Sequence, residues 1–227
     1  MKRRARAFAL AACLLAVPAW AQEGPKASFD CEKAATPVER AICQGLHTAE
    51  LDRAMDELYR AALEKAGAQR AATEAKQRQW LAARDTRCGR SKPDVTCIEK
   101  TYKQRIVELA RAARGAAGPF VSGSYDYRQK GEGGEMFLAE LPDGNTMVLV
   151  ETVNVGHQSP HTCTFMERLK GGAVLRYSDP QASKTCALEI AVTGNRAVMR
   201  ESPKDCFEVA QYYCGAHGYM LGTYVKK

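Results

Sequence analysis

Hydrophobic positions along the chain change their period once. In the first half they recur at helical spacings. Leu51, Met55, Leu58 and Ala62 are separated by four, three and four residues, which puts them on one face of an α-helix. Thr48 is placed to cap that helix and Gly67 to end it. The stretch "AQRAATEAKQRQWLAARDTRC" holds no breaker and is rich in helix formers, with Trp80 and Leu81 as its main apolar bulk. After the turn "GRSKPD", Ile98, Tyr102, Ile106 and Leu109 repeat at four, four and three, and Thr96 with Glu99 offers a capping box. These two helices are expected to pair as an antiparallel hairpin. A shorter helix precedes all of them, with Thr36 as N-cap, Pro37 at the first position and Glu39 completing a capping box. It offers only Val38, Ala41 and Ile42 as apolar anchors.

From Val121 the pattern becomes that of strands. "VSGSYDY", "GEMFLAEL", "NTMVLVETV", "HTCTFMERL", "AVLRYSD", "TCALEIAV", "RAVMRES" and "GYMLGTY" are short, β-branched or aromatic, and separated by Gly, Pro, Asn and Asp. "PDGN", Pro142 to Asn145, is a strong turn signal. Cys186, Leu188, Ile190 and Val192 alternate onto one face. About eight such strands predict an antiparallel barrel or sandwich. The fold class expected is therefore α+β, a helical domain followed by an antiparallel β domain. "RGAAGPF", Arg114 to Phe120, lies between them and reads as a boundary. The expected division is residues 22–114, a linker at 115–119, and residues 120–227.

Residues 1–21 read as a secretory signal: a basic run to Arg6, the apolar "AFALAACLLAVPAW", and Ala19-Trp20-Ala21 as the cleavage site. A competing reading takes Leu10-Ala11-Ala12-Cys13 as a lipoprotein box with Cys13 lipidated. Cleavage after Ala21 and a periplasmic location are the expectation. No other stretch is long and apolar enough to span a bilayer. Losing Lys2, Arg3, Arg4 and Arg6 takes the formal charge from +7 to about +3. The remaining basic residues alternate with acidic ones, which argues against a nucleic-acid partner.

Cleavage leaves eight cysteines, in two sets: Cys31, Cys43, Cys88, Cys97, and Cys163, Cys186, Cys206, Cys214. An even count in an oxidising compartment makes disulfides the default. Several connectivities are open within each set, and local pairing is the simplest. That means Cys31–Cys43, Cys88–Cys97, Cys163–Cys186 and Cys206–Cys214.

One string, Cys31-x-x-Ala34-x-Thr36-x-x-Glu39-x-x-Ile42-Cys43, resembles the N-terminal domain of the LprI-type lysozyme-inhibitor family. So do Leu51-Asp52 with Tyr59, Trp80-Leu81-x-x-Arg84-Asp85 with Cys88, and Cys97-Ile98 with Tyr102, Arg105, Ile106 and Leu109. The resemblance covers about residues 28 to 112. It implies a small disulfide-stapled helical domain in exported bacterial proteins, some of which inhibit lysozyme. It carries over no inhibitory residues. "YYCGAHGYMLGTY" resembles the segment found behind some such domains. Ser122-Gly123-Ser124 with Tyr127 resembles the serine-glycine motif of another class of inhibitor, itself a small β-barrel, but stands at the domain's opening and not in a mid-chain loop.

Candidate chemistry is sparse. His157-Gln-Ser-Pro-His161 with Cys163 has metal-ligand residue types, yet Pro160 forbids a helical H-x-x-x-H arrangement. An exposed loop is the better reading, with His157, Gln158, Ser159 and His161 as candidate partner contacts. Cys214 and His217 would form a nucleophile–base pair only with a free thiolate, which a disulfide removes. Glu50, Asp52, Asp56 and Glu57 lie on adjoining turns and are expected mostly to face solvent. Trp80 is expected in the core. Phosphate loops and nucleophile elbows do not occur. The expectation is a non-enzyme without cofactor or metal, whose partner is lysozyme or another periplasmic or extracellular protein. An inhibitor occluding the lysozyme cleft is one reading; a non-catalytic envelope binding or assembly module is the other. Steering of a basic lysozyme would favour an acidic inhibitor. The second half, at about −1, suits this slightly better than the first, at about +4.

Overall fold

The structure is a computed structural model describing residues 26–89, 92–114, 119–129, 132–154, 160–204, 206–214 and 218–227. The signal segment lies outside these residues. The fold is α+β, a helical layer seated on an eight-stranded, nearly closed antiparallel barrel.

Helix α1 (Pro37–Gln44) starts with the capping box read from its sequence. The Thr36 hydroxyl accepts from Glu39 N, while the Glu39 carboxylate accepts from Thr36 N and Ala35 N. Helix α2 (Leu46–Lys65) begins two residues before the cap expected for it. The Thr48 hydroxyl instead donates to the carbonyls of Ile42 and Gly45, closing the α1–α2 corner. Helices α3 (Arg70–Cys88) and α4 (Val95–Arg114) follow. Asp94, not Thr96, caps α4, its carboxylate accepting from Cys97 N at 3.0 Å. The expected α3–α4 hairpin exists at its turn, but α4 packs chiefly along α2. The cause lies in the side chains. Leu51, Met55 and Leu58 give α2 a continuous apolar face against Ile98, Tyr102, Ile106 and Leu109, whereas α3 buries only Gln77, Arg84 and Cys88.

The strands are β1 (Gly123–Gln129), β2 (Glu132–Glu140), β3 (Asn145–Asn154), β4 (His161–Lys170), β5 (Val174–Tyr177), β6 (Ala187–Thr193), β7 (Arg196–Ser202) and β8 (Gly222–Lys226). They run in the order β4-β3-β2-β1-β8-β7-β6-β5, all antiparallel. Apart from β4 and β5, sequential strands are neighbours, and β8 returns to pair with β1. The ladder is interrupted only between β4 and β5. At the β2–β3 turn Gly144 takes φ +83°, the left-handed conformation that "PDGN" calls for.

Two cores result. Tyr125, Tyr127, Met136, Leu138, Val148, Val150, Phe165 and Tyr224 fill the barrel with Leu188 and Ile190. The other core lies between α2, α4 and the outer face of β2 and β3, where Phe137, Ala139, Met147 and Leu149 join the helical side chains. Helices and barrel therefore share one apolar core across the expected linker. Helix α5 (Glu208–Tyr213) packs on β4 and β6, putting Val209 and Ala210 against the barrel interior.

Candidate functional site

Disulfides join Cys31 to Cys43 and Cys88 to Cys97 in the helical layer. The first ties the entry segment over α1, and the second closes the α3–α4 turn. The barrel differs from the local expectation: Cys163 pairs with Cys214, and Cys186 with Cys206. Helix α5 is the reason. Six helical residues separate the cysteines flanking it by about 9 Å along the axis, too far for one bond. Each is instead delivered to a neighbouring strand, Cys214 to β4 and Cys206 to the start of β6. His157, Gln158 and Ser159 lie outside the described residues, as does His217. His161 opens β4 and pairs across the ladder with Asn154.

The residues carrying the family resemblance converge inside the helical layer. Asp52 is buried, contrary to the expectation of solvent for its acidic cluster. Its Oδ1 accepts from the Tyr102 hydroxyl at 2.7 Å, and its Oδ2 accepts from Ser28 N and Oγ at 2.7 and 2.6 Å. The Arg84 guanidinium donates to the Tyr102 hydroxyl at 2.6 Å and pairs with Asp85. Trp80 is partly buried, its ring edge-on to Tyr102 at 5.1 Å. Arg105 Nε donates to the Gln77 amide oxygen at 3.0 Å. Burial, followed by the nearby Asp52, pushes the Tyr102 phenol far above its ordinary pKa. A buried network this fully satisfied holds one arrangement of helices. Its side chains are directed inward.

Polar contacts flank the shared core between layers. Glu50 is also buried; Arg168 on β4 donates to it through Nε, and to both oxygens of Glu57 at 2.9 and 3.0 Å. On the other side Lys103 on α4 reaches Glu135 at 2.9 Å and Glu151 at 3.5 Å. His47, at the start of α2, lies 3.4 Å from Glu151 and 3.9 Å from Glu99. The hydrogen bond to Glu151 raises the His47 pKa, and the same bond lowers that of Glu151. Burial, then Glu151, raises that of Glu99. A cleft of about 960 Å³ beside α4 is lined by Glu99, Lys103, Glu151, Lys226 and the Ser122-Gly123-Ser124 stretch. That stretch is part of the wall. Ser122 is buried with its hydroxyl hydrogen-bonded to Glu140, and Tyr127 points into the barrel.

The exposed surface that the sequence reading missed surrounds α5. Phe207, Tyr212 and Tyr219 are exposed, and Phe207 and Tyr219 line the same cleft. Beneath them Tyr213 packs edge-on against Phe165 and Tyr177 at 5.2 and 5.9 Å, and the two tyrosine hydroxyls are hydrogen-bonded. Burial pushes the Tyr177 phenol up to about 12. The signal was present in "CFEVAQYYC": a short helix with more aromatic residues than one buried face can hold.

The described residues thus form a disulfide-stapled helical layer fused to a small barrel. Residues 31–114, the helical segment, match the family model described as Lysozyme inhibitor LprI. The proteins named Lipoprotein LprI from Mycobacterium bovis (strain ATCC BAA-935 / AF2122/97) and Mycobacterium tuberculosis (strains CDC 1551 / Oshkosh and ATCC 25618 / H37Rv) are similar. Each is 36% identical over 115 residues, 50% of this chain and 56% of the relative. The chain thus spans about half the length of the curated relatives it matches. No solved structure matches it.

Proposed function

We propose that the protein is exported to the periplasm and inhibits a lysozyme by docking on its cleft. The observation that carries this reading is the match of residues 31–114 to the family model described as Lysozyme inhibitor LprI. The fold supports it: four disulfides and a shared core hold one shape, and a pre-shaped surface loses little entropy on docking. Phe207, Tyr212 and Tyr219 are the contact residues physical chemistry favours, since exposed aromatics supply most interface hot spots. The segment with His157, Gln158, Ser159 and His161 belongs to the same proposal. The chain before it is tied to this end of the barrel by the Thr152 hydroxyl on the Tyr219 carbonyl, and the chain after it by Cys163–Cys214. With little net charge, recognition rests on shape more than on long-range attraction.

Titrating the mature protein into several lysozyme types while following cell-wall lysis tests this. Inhibition with a stable complex, weakened tenfold or more by Phe207→Ala or Tyr212→Ala, is expected. Full lysis at micromolar excess against every type, with no complex, would remove the inhibitor reading. It would leave an envelope binding or assembly module, which the inward direction of the family's signature side chains favours. Cleavage after Ala21 completes the proposal, and the intact mass of the exported form checks it. The lipoprotein name of the relatives supports the other reading, a diacylglyceryl Cys13.

A further inference from the structure

We infer that the junction between helices and barrel holds a divalent transition-metal ion, zinc by its chemistry, on His47, Glu99 and Glu151. These residues come from three elements: the first turn of α2, the first turns of α4, and β3. Nothing in local sequence brings them together, yet one ligand atom from each lies within 4.8 Å of the others. His47 Nδ1 stands 3.4 Å from a Glu151 oxygen and 3.9 Å from a Glu99 oxygen. Ligands held about 2.0–2.1 Å from a tetrahedral ion are separated by roughly 3.4 Å. The donors already stand near those separations, and small side-chain rotations close the rest.

The charge balance also favours a cation. Three carboxylates face this point, Glu99 from α4, Glu135 from β2 and Glu151 from β3. Against them stand Lys103 from α4, which reaches Glu135 and Glu151, and Lys227 beyond β8, which reaches Glu135. A metal needs His47 neutral, and these side chains then carry one net negative charge, whereas with His47 protonated they balance. Glu99 lies 3.9 Å from His47 Nδ1, with Lys103 one turn further along α4. The large cleft beside α4 opens onto Glu99 and Glu151, giving the ion and a water in its fourth position a route in.

An imidazole nitrogen with two carboxylate oxygens selects zinc-like ions over calcium and magnesium, which take oxygen ligands. Such an ion would act as a cross-link between elements. It would tie both long helices of the shared core to the barrel wall, and it binds only the assembled junction, so it stabilises the folded chain by mass action. This inference stands apart from the lysozyme reading; either can fail without the other.

The test uses untagged full-length mature protein. Zinc chloride, and separately calcium and magnesium chloride, are titrated calorimetrically and in thermal melts. One zinc equivalent is expected, with the midpoint rising roughly 5 °C or more at hundredfold excess over Kd. Calcium and magnesium should give neither effect. Glu99→Gln, which keeps the side-chain shape, and His47→Gln should each weaken zinc binding at least tenfold and abolish the melting shift, with far-UV circular dichroism unchanged. Absence of zinc binding overturns the inference. So does zinc binding that survives both substitutions, which assigns the metal to other histidines. If His47→Gln does not fold, Glu99→Gln alone decides.

Discussion

The two sides of the barrel differ in what covers them. On β2 and β3 both faces are buried. Met136, Leu138, Val148 and Val150 point inward, while Phe137, Ala139, Met147 and Leu149 meet the helices. On β7 burial alternates, with Ala197 and Met199 inside while Val198 faces solvent. The same ladder thus carries two sequence patterns, a continuous apolar run where helices cover it and strict alternation where they do not. The helices and the outer face of β2 and β3 complete one buried cluster between them. A barrel cut from its helices would expose Phe137 and Leu149.

The largest test sets one side against the other. Phe137→Ala should cost about 3–5 kcal/mol in chemical denaturation, as for a deleted core aromatic. Val198→Ala should stay within about 0.5 kcal/mol. Equal costs would break the comparison.

Next come the disulfides, which span short loops in the helices and long ones in the barrel. Cys163–Cys214 closes a separation of 51 residues and Cys88–Cys97 one of 9. Chain entropy predicts losses of about 4 and about 2.6 kcal/mol when each pair is replaced by serine. Urea melts of both double variants measure the order.

Within the helical layer, Tyr102→Phe removes the hydroxyl between Asp52 and Arg84 and leaves both buried groups short of a partner. A loss of about 1–3 kcal/mol is expected, with the barrel's near-ultraviolet signal keeping its shape.

A smaller effect than these is expected at Glu39. Hydrogen bonds from the backbone of Thr36 and Ala35 hold its pKa below the ordinary carboxylate value. Its stabilisation is therefore complete above the unfolded pKa, near 4.5, and is lost as pH falls through the lower folded value. Glu39→Gln should cost no more than about 1 kcal/mol at neutral pH and flatten that part of the acid limb.

Much of this was legible in the chain. Each of the eight strands falls on a segment marked out by turn residues, and the helices fall on their apolar periods. The runs "MFLA" and "MVLV" also carried the sign of two-sided burial, because no polar residue interrupts them. Other features were not legible, for identifiable reasons. Glu50 and Asp52 looked like solvent-facing acids because their partners, Arg168 and Tyr102, are 118 and 50 residues away. The barrel disulfides were misread because α5, too short to stand out by period, holds its flanking cysteines apart. His47, Glu99 and Glu151 share no motif; only the docking of helices on barrel brings them together.

The return of β8 to β1 has a kinetic consequence. Tyr125 pairs with Lys226, so the ring closes by joining segments roughly a hundred residues apart, the kind of contact that slows folding. The bond between Cys163 and Cys214 cuts the covalent path between those two strands to about half. Chain oxidised at that pair before the ring shuts has a shorter loop to close and a smaller entropic barrier. If the sulfur chemistry comes first, the unpaired edges of β1 and β8 remain open to other chains for a shorter time.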